Sequence, residues 1–515
     1  METTKMRRIP VRSSAALLLA ALTLSACSAG SGGGQGTAGQ SGAAGEDTSG
    51  IVVALTGEPA NLDFTTTAGA AIPQALMANV YEGLVEIDQD GQIQPLLAES
   101  WDISGDRTTY TFTLQPGVTF SNGEAFTADD VKFSLERVKS DAWLSSLKTK
   151  MDVLDSVSVL SDTEVSVQLS RPSNAWLFDL GTPVGAMFDE SGVADLASTA
   201  IGTGPFTVEA WNRGESIELA ARADYWGEAP KVQTATLRYF ADAVATTNAL
   251  RSGDVDVVYN MQAPELLSSF ADDEAFQVLE GTSNGEVMLS MNNARPPFDD
   301  VRVRRAVLHA VDRQAVLDTA WSGYGTLVGA PVPPTDPYYE DLNGAYPYDP
   351  EKARALLAEA GASNLDITFT VPTRPYATAV SEIVVSQLAE VGINASIQSA
   401  EFPAVWLDQV FTRHDYDMSV VLAVESRDLL TMFNNPGYYL GYDNTKIKDT
   451  AAVADAADEA GYISGMQQVV RTINDDAAAD VLFLFPNIVV AKAGVTGLPA
   501  NSVTEALDLG SAGWQ

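Results

Sequence analysis

Short runs of β-branched and apolar residues alternate along this chain with stretches whose apolar positions recur every three or four residues. That pattern predicts α/β lobes rather than a helical bundle or a sandwich. Ile51 to Leu55 reads as an opening strand. Tyr110 to Leu114 alternates threonine with large residues and predicts a half-buried strand. Thr127 precedes Asp129 and Asp130, the pattern of a capped helix with acids in its first turn. Asp349-Pro350 marks another helix start, because proline is tolerated at the first helical position, and Gly361 marks its end. The segment from Leu365 to Ile397 then reads strand (Ile367 to Val371), helix (Ala377 to Val391) and strand (Ile393 to Ile397), a βαβ unit that requires parallel strands. No internal repeat is visible.

The N-terminus follows a different pattern. Lys5, Arg7, Arg8 and Arg12 precede an apolar run from Ala15 to Leu24, which is too short to span a bilayer and predicts a signal peptide over residues 1–26. Leu24-Ser25-Ala26-Cys27 resembles the bacterial lipobox, in which the cysteine is lipidated, and Cys27 is the only cysteine in the 515 residues. Cys27 is therefore the expected lipid anchor. Residues 27–47 are dominated by Gly, Ser, Ala, Gln and Thr and read as a tether; a flexible linker of that length spans roughly 25 Å on average.

Composition narrows the function. The rest of the chain is longer than one hydrophobic core usually serves, so at least two lobes are expected, and 46% apolar residues suffice to fill them. A formal charge of −38 repels nucleic acid and anionic lipid; a solvated acidic surface is its commonest cause. One cysteine and two histidines, His309 and His414, fall short of the usual zinc, copper or iron ligand sets, and no acidic stretch has the ligand spacing of an EF-hand loop.

Motifs for catalysis are incomplete. Gly281-Thr282-Ser283-Asn284-Gly285 spells a serine nucleophile elbow, but an elbow leads directly into a helix and Glu286 to Met291 reads as a strand. Ser145-Ser146-Leu147-Lys148 spells a serine–lysine pattern whose companion motifs each miss a required residue. The Gly-rich tether lacks the Gly-Lys-Ser/Thr of a phosphate loop. The chain reads as a binding protein, not an enzyme, with no cofactor.

Several blocks, in order, resemble the extracellular solute-binding proteins of family 5, whose members serve dipeptide, oligopeptide and nickel importers. They are Glu58-Pro59-Ala60-Asn61-Leu62-Asp63, Tyr81-Glu82-Gly83-Leu84, Pro95 to Trp101, Tyr110 to Leu114, Phe120 to Gly123, Asp129-Asp130-Val131, Gly202-Thr203-Gly204-Pro205-Phe206, Phe298 to Arg304 with Ala310-Val311-Asp312, and Tyr348 to Ala353. The resemblance implies a two-lobed α/β fold of the type II periplasmic-binding-protein kind, with an extra domain inserted in the first lobe and two interlobe crossings as a hinge. On this chain lobe I is expected at 48–81, 199–284 and 485–515, the inserted domain at 82–198, and lobe II at 285–484. It also implies a monomer at the outer face of the membrane, delivering a peptide or other small solute to ABC permease and ATPase subunits.

A ligand enclosed between closing lobes loses its water, so each of its charges must meet a partner. In peptide-binding relatives an arginine in an Arg-Pro-Tyr stretch takes the ligand carboxylate, and Arg374-Pro375-Tyr376 stands at the matching place. Relatives hold the ammonium with an acid after a Gly-Trp pair; this chain reads Ala423-Val424-Glu425-Ser426-Arg427-Asp428, so Glu425 aligns first and Asp428 second. Tyr81, Asn292, Tyr376, Phe402 and Trp406 fall in segments that line the cleft in relatives, with core packing as the plain alternative for each. The missing Gly-Trp leaves open a modified or cationic ligand, a nickel chelate, a siderophore or an oligosaccharide, and also a sensor that does not transport.

Overall fold

The run Gly50–Leu55 forms a strand that pairs in parallel with Thr234–Tyr239 on one side and Val257–Val258 on the other. Buried on both faces, it has no need of alternation, and its sequence is almost uninterruptedly apolar. In this computed structural model, which describes residues 48–67, 69–240 and 242–515, it is the centre of a seven-stranded sheet. The order across that sheet is Phe276–Gly281, Asn487–Lys492, Val257–Val258, Gly50–Leu55, Thr234–Tyr239, Ser216–Ala221 and Phe206–Asn212.

A five-stranded sheet uses the chain between 286 and 484, in the order Ile393–Ala400, Leu365–Pro372, Met418–Ala423, Glu286–Met291, Ala479–Leu484. The expected βαβ unit is present: Leu365–Pro372 runs parallel to Ile393–Ala400, with Ile367 opposite Ala395, and the helix Pro375–Glu390 connects them. Phe369, Val380, Val384 and Leu388 join Val287 and Leu289 in one core between this sheet and its helices.

The chain passes directly between the two sheets twice, at 282–285 and at 485–486. At the first crossing Phe485 N–H donates to the Gly285 carbonyl, which ties the two passages together. A Cβ on Gly281 would lie 1.9 Å from the Ala500 carbonyl oxygen, so close backbone approach explains that glycine. The strand Glu286–Met291 follows, where a nucleophile elbow would need a helix.

A separate antiparallel sheet, Ala98–Ile103, Thr109–Leu114, Glu164–Leu169 and Leu154–Ser161, forms within the segment between 98 and 169. Thr109–Leu114 alternates buried and partly exposed positions as its sequence predicts. The helix Ala128–Val138 packs on this sheet; Thr127 and Asp130 form its capping box. The helix Pro350–Glu359 starts with Asp349 accepting from Lys352 N–H, and Gly361 follows it at φ +72°. Among the described residues no helix is long and apolar enough to cross a membrane. Cys27 and the segment expected as a tether lie outside the described residues.

Candidate functional site

Strand Leu365–Pro372 delivers Arg374 to the start of helix Pro375–Glu390, where the side chain is exposed. Its guanidinium carbon stands 4.9 Å from the centre of the Phe402 ring, and no side chain among the described residues pairs with it. Tyr376, in the first turn, is buried, and its hydroxyl accepts from Leu422 N–H at 2.8 Å. Burial is the first cause that pushes its pKa up to about 12. That bond fastens the helix to the strand Met418–Ala423, whose end leads into the segment holding Glu425 and Asp428.

That segment is pinned from behind. Ser426 Oγ donates to the Val503 carbonyl at 2.8 Å and receives a bond from Asn284 Nδ2 at 3.0 Å, so the first crossing and the C-terminal stretch both hold it. Arg427 takes a left-handed backbone at φ 51°. Its guanidinium carbon lies 3.6 Å from the centre of the Phe178 ring, and its Nε is 3.7 Å from Asp336 Oδ1.

Lys150 completes the charge pattern. Its ammonium is 3.8 Å from Asp179, and Glu425, Glu505 and Asp428 are its further electrostatic neighbours. Burial by itself would lower the lysine pKa; these four carboxylates more than offset it and raise it. Burial pushes Glu505 up to about 7 and Asp179 up to about 6, each partly offset by Lys150. Asp336 is raised by burial against the pull of Arg427.

Glu286 is the most deeply buried of these acids. It opens the strand Glu286–Met291, is 1% exposed, and its Oε2 has no hydrogen-bond partner among the described residues. Burial first, then Asp428 and Asp336, drives its pKa well above the carboxylate range; burial and Glu425 do the same to Asp428. Tyr439 feels Asp428, Tyr376 and Glu286 electrostatically at once, which links the Tyr376 side of the site to the acidic side. A cavity of about 620 Å³ lies between residues 77–96 and 499–511, and Glu505 is common to its wall and to the ring of acids around Lys150. Among the described residues no three His, Cys, Asp or Glu side chains are placed to hold a metal ion.

The other expected residues take packing positions. Tyr81 is fully buried, its ring edge-on to Phe64 and tilted on Phe188. Asn292 is buried and its amide donates to the His414 and Tyr416 carbonyls, which fixes the end of its strand. Trp406 is buried with its Nε1 donating to Ser419 Oγ at 3.0 Å. Phe402 is half-buried between Trp406 and Arg374. Of the sequence candidates, Glu425 and Asp428 belong to the charged cluster, Tyr376 is tied to their strand with Arg374 and Phe402 beside it, Tyr81 lines the cavity, and Asn292 and Trp406 take packing positions. Sequence reasoning misses Lys150, Asp179, Glu286, Asp336, Arg427 and Glu505. Only Glu286 leaves a signal, a lone carboxylate heading the otherwise apolar run Glu-Val-Met-Leu-Ser-Met.

Two sheets joined by two adjacent crossings, with buried charges contributed from both sides, define a two-lobed binding protein of the type II kind. The family model of the bacterial extracellular solute-binding proteins, family 5, matches residues 92–428, and the chain belongs to that family. It is a solute-binding protein, not an enzyme. The glutathione-binding protein GsiB of Salmonella typhi is 30% identical over 359 residues, covering 68% of this chain and 69% of that one. Among solved structures, the Helicobacter pylori periplasmic binding protein DppA in complex with the peptide STSA superposes with a TM-score of 0.80 at 22% identity, covering 90% of this chain and 98% of that one. The binding protein AgaA of A. tumefaciens R10, in complex with agropinic acid, gives 0.78 at 24% identity, with 90% and 99% covered.

Proposed function

We propose that this chain is the lipid-anchored substrate-binding component of an ABC importer and captures a peptide or peptide-like solute between its lobes. In this reading 48–81, 199–284 and 485–515 make the first lobe, 285–484 the second, and 82–198 the inserted domain. The observation that carries it is an exposed arginine with no ionic partner among the described residues, Arg374, two positions before Tyr376, whose hydroxyl is bonded to Leu422 on the strand that leads to Glu425 and Asp428. A zwitterion needs one fixed cation and one fixed acid, and a guanidinium gives a carboxylate two charge-assisted bonds in a planar fork. Relatives named for glutathione and for peptide ligands support the same ligand class.

The test is calorimetry of the purified full-length protein against Ala-Ala and glutathione. Arg374→Ala should weaken the ligand that binds by roughly ten- to a hundredfold, the value of one or two charge-assisted bonds. Unchanged affinity would remove Arg374 from the site. Lipidation of Cys27, with the chain held as a monomer at the outer face of the membrane, is the remaining part of the proposal. Cys27→Ala should release the protein from the membrane fraction into the medium; retention of the variant would defeat the anchor.

A further inference from the structure

Six carboxylates belong to the charged cluster at the proposed site, Asp179, Glu286, Asp336, Glu425, Asp428 and Glu505, against Lys150, Arg427 and the more distant Arg374. Lys150 and Arg427 are committed. Lys150 stands closest to Asp179, and Arg427 is divided between Asp336 and the face of Phe178. Glu286 and Asp428 have no cation within ion-pairing distance among the described residues, and Glu286 Oε2 is buried without any hydrogen bond.

A buried acid that served only packing would still find a hydrogen-bond partner, ionised or neutral, as buried polar groups in native proteins do. An orphaned carboxylate oxygen with a second acid as its electrostatic neighbour is instead the arrangement that a positive group completes. The free amino terminus of a peptide brings one such charge, and its carboxylate is already provided for by Arg374. One ammonium leaves the acid excess uncorrected. Tyr438 and Tyr439, whose rings lie 4.9 Å apart, are electrostatic neighbours of both Asp428 and Glu286 and offer neither of them a cation.

We infer that the site selects a peptide-like solute carrying a basic side chain, whose ammonium or guanidinium is received by Glu286 and Asp428. This rests on the peptide-binding reading above and names the ligand class within it.

The experiment is calorimetry of the purified full-length protein with Lys-Ala, Ala-Lys, Ala-Ala and Ala-Glu, and with spermidine as a cation that is no peptide. The expected result is that a lysine dipeptide binds at least about tenfold more tightly than Ala-Ala, with Ala-Glu weakest, the size of one charge-assisted contact. Glu286→Gln keeps the shape and removes the group that can ionise against a bound cation, and should cost the lysine dipeptide about the same factor while leaving Ala-Ala nearly unchanged. Should the first variant not fold, Asp428→Asn should weaken the lysine dipeptide by more than it weakens Ala-Ala. Equal affinity for all four dipeptides, or an undiminished lysine preference in both variants, overturns the inference and leaves the peptide reading standing. Spermidine binding with silence from every dipeptide keeps the cation site and overturns the peptide reading. Silence from all five overturns both.

Discussion

Asp455, in the helix Lys448–Ala456, accepts a hydrogen bond from Ser173 Oγ at 2.9 Å, across 282 residues of chain. The same Oδ1 accepts from the backbone N–H groups of Asn174 and Ala175, at the start of the helix Ala175–Asp179, and Arg171 pairs with Oδ2. Arg107 adds bonds to the Ala456 and Ala457 carbonyls and to Asn174 Oδ1. One buried carboxylate thus caps a helix that leads to Phe178 and Asp179, both of them at the proposed site.

Asp455→Ala should therefore act on docking and on ligand retention together. Asn174 N–H keeps the Asp455 carbonyl at 2.9 Å, so the Ala175 N–H and the Ser173 hydroxyl lose their acceptor, which costs on the order of 1–3 kcal/mol; the half-exposed Arg171 adds little. Denaturant unfolding should show that loss. Stopped-flow release of a bound ligand should speed up by tenfold or more if the contact closes the site, on the order of 1.4 kcal/mol of it. Lost stability with unchanged release would confine Asp455 to a structural role.

Gly202 and Gly204 are required by contact rather than by backbone angle. A Cβ on Gly202 would stand 1.9 Å from the Val80 carbonyl oxygen, and one on Gly204 would stand 2.6 Å from that of Asn79. Between them Gly204 N–H donates to the Val80 carbonyl. Gly202→Ala should destabilise by at least about 1–3 kcal/mol, the usual range for overpacking, because the obstruction is main chain and not a movable side-chain tip. A melting temperature equal to that of the unsubstituted protein would contradict this.

The same residues explain what the sequence does and does not reveal. Gly-Thr-Gly-Pro-Phe is recognisable because its cause is local, a close crossing that repeats wherever the fold does. Thr127, Asp349 and Gly361 are likewise readable, since caps and helix ends are satisfied within a few residues. The helix after Arg374 begins two residues earlier than its periodicity suggests, because Pro375 and Tyr376 already fit a first turn. The acid cluster is illegible for the opposite reason. Lys150, Asp179, Asp336 and Glu505 are far apart in the chain and unremarkable in their neighbourhoods, and only the tertiary fold makes them neighbours. Trp406 shows the same limit from the other side, for an aromatic in a cleft-lining segment reads no differently from one facing the core.

Tyr376 offers a test that separates its two faces. Its hydroxyl accepts from Leu422 N–H, and Tyr376→Phe leaves that buried donor unpaired. The cost should be on the order of 1–3 kcal/mol in stability. Affinity should fall only modestly, since the ring that packs against Phe485 remains. A large loss of affinity with unchanged stability would instead mean that the hydroxyl touches ligand.

Asp480 gives the pH dependence its clearest reporter, because it is buried in the second sheet and outside the proposed site. Its Oδ2 has no hydrogen-bond partner among the described residues, and Arg313 is 3.9 Å from Oδ1. Burial raises its pKa to about 6, with Arg313 opposing. An acid raised on folding binds more protons in the folded state between its ordinary value and about 6, so stability falls as pH rises through that window. The contribution is intact below about pH 4 and lost above about 6, and amounts to on the order of 3 kcal/mol for a carboxyl raised that far. Asp480→Asn removes the titration while Arg313 keeps its bonds to the Val328 and Val481 carbonyls. The variant should be more stable than the parent at about pH 7.5 and indistinguishable from it at about pH 4, as read by urea unfolding under both conditions. Equal stability in the more alkaline buffer would show that Arg313 holds Asp480 ionised at no cost, and that burial does not raise this carboxyl.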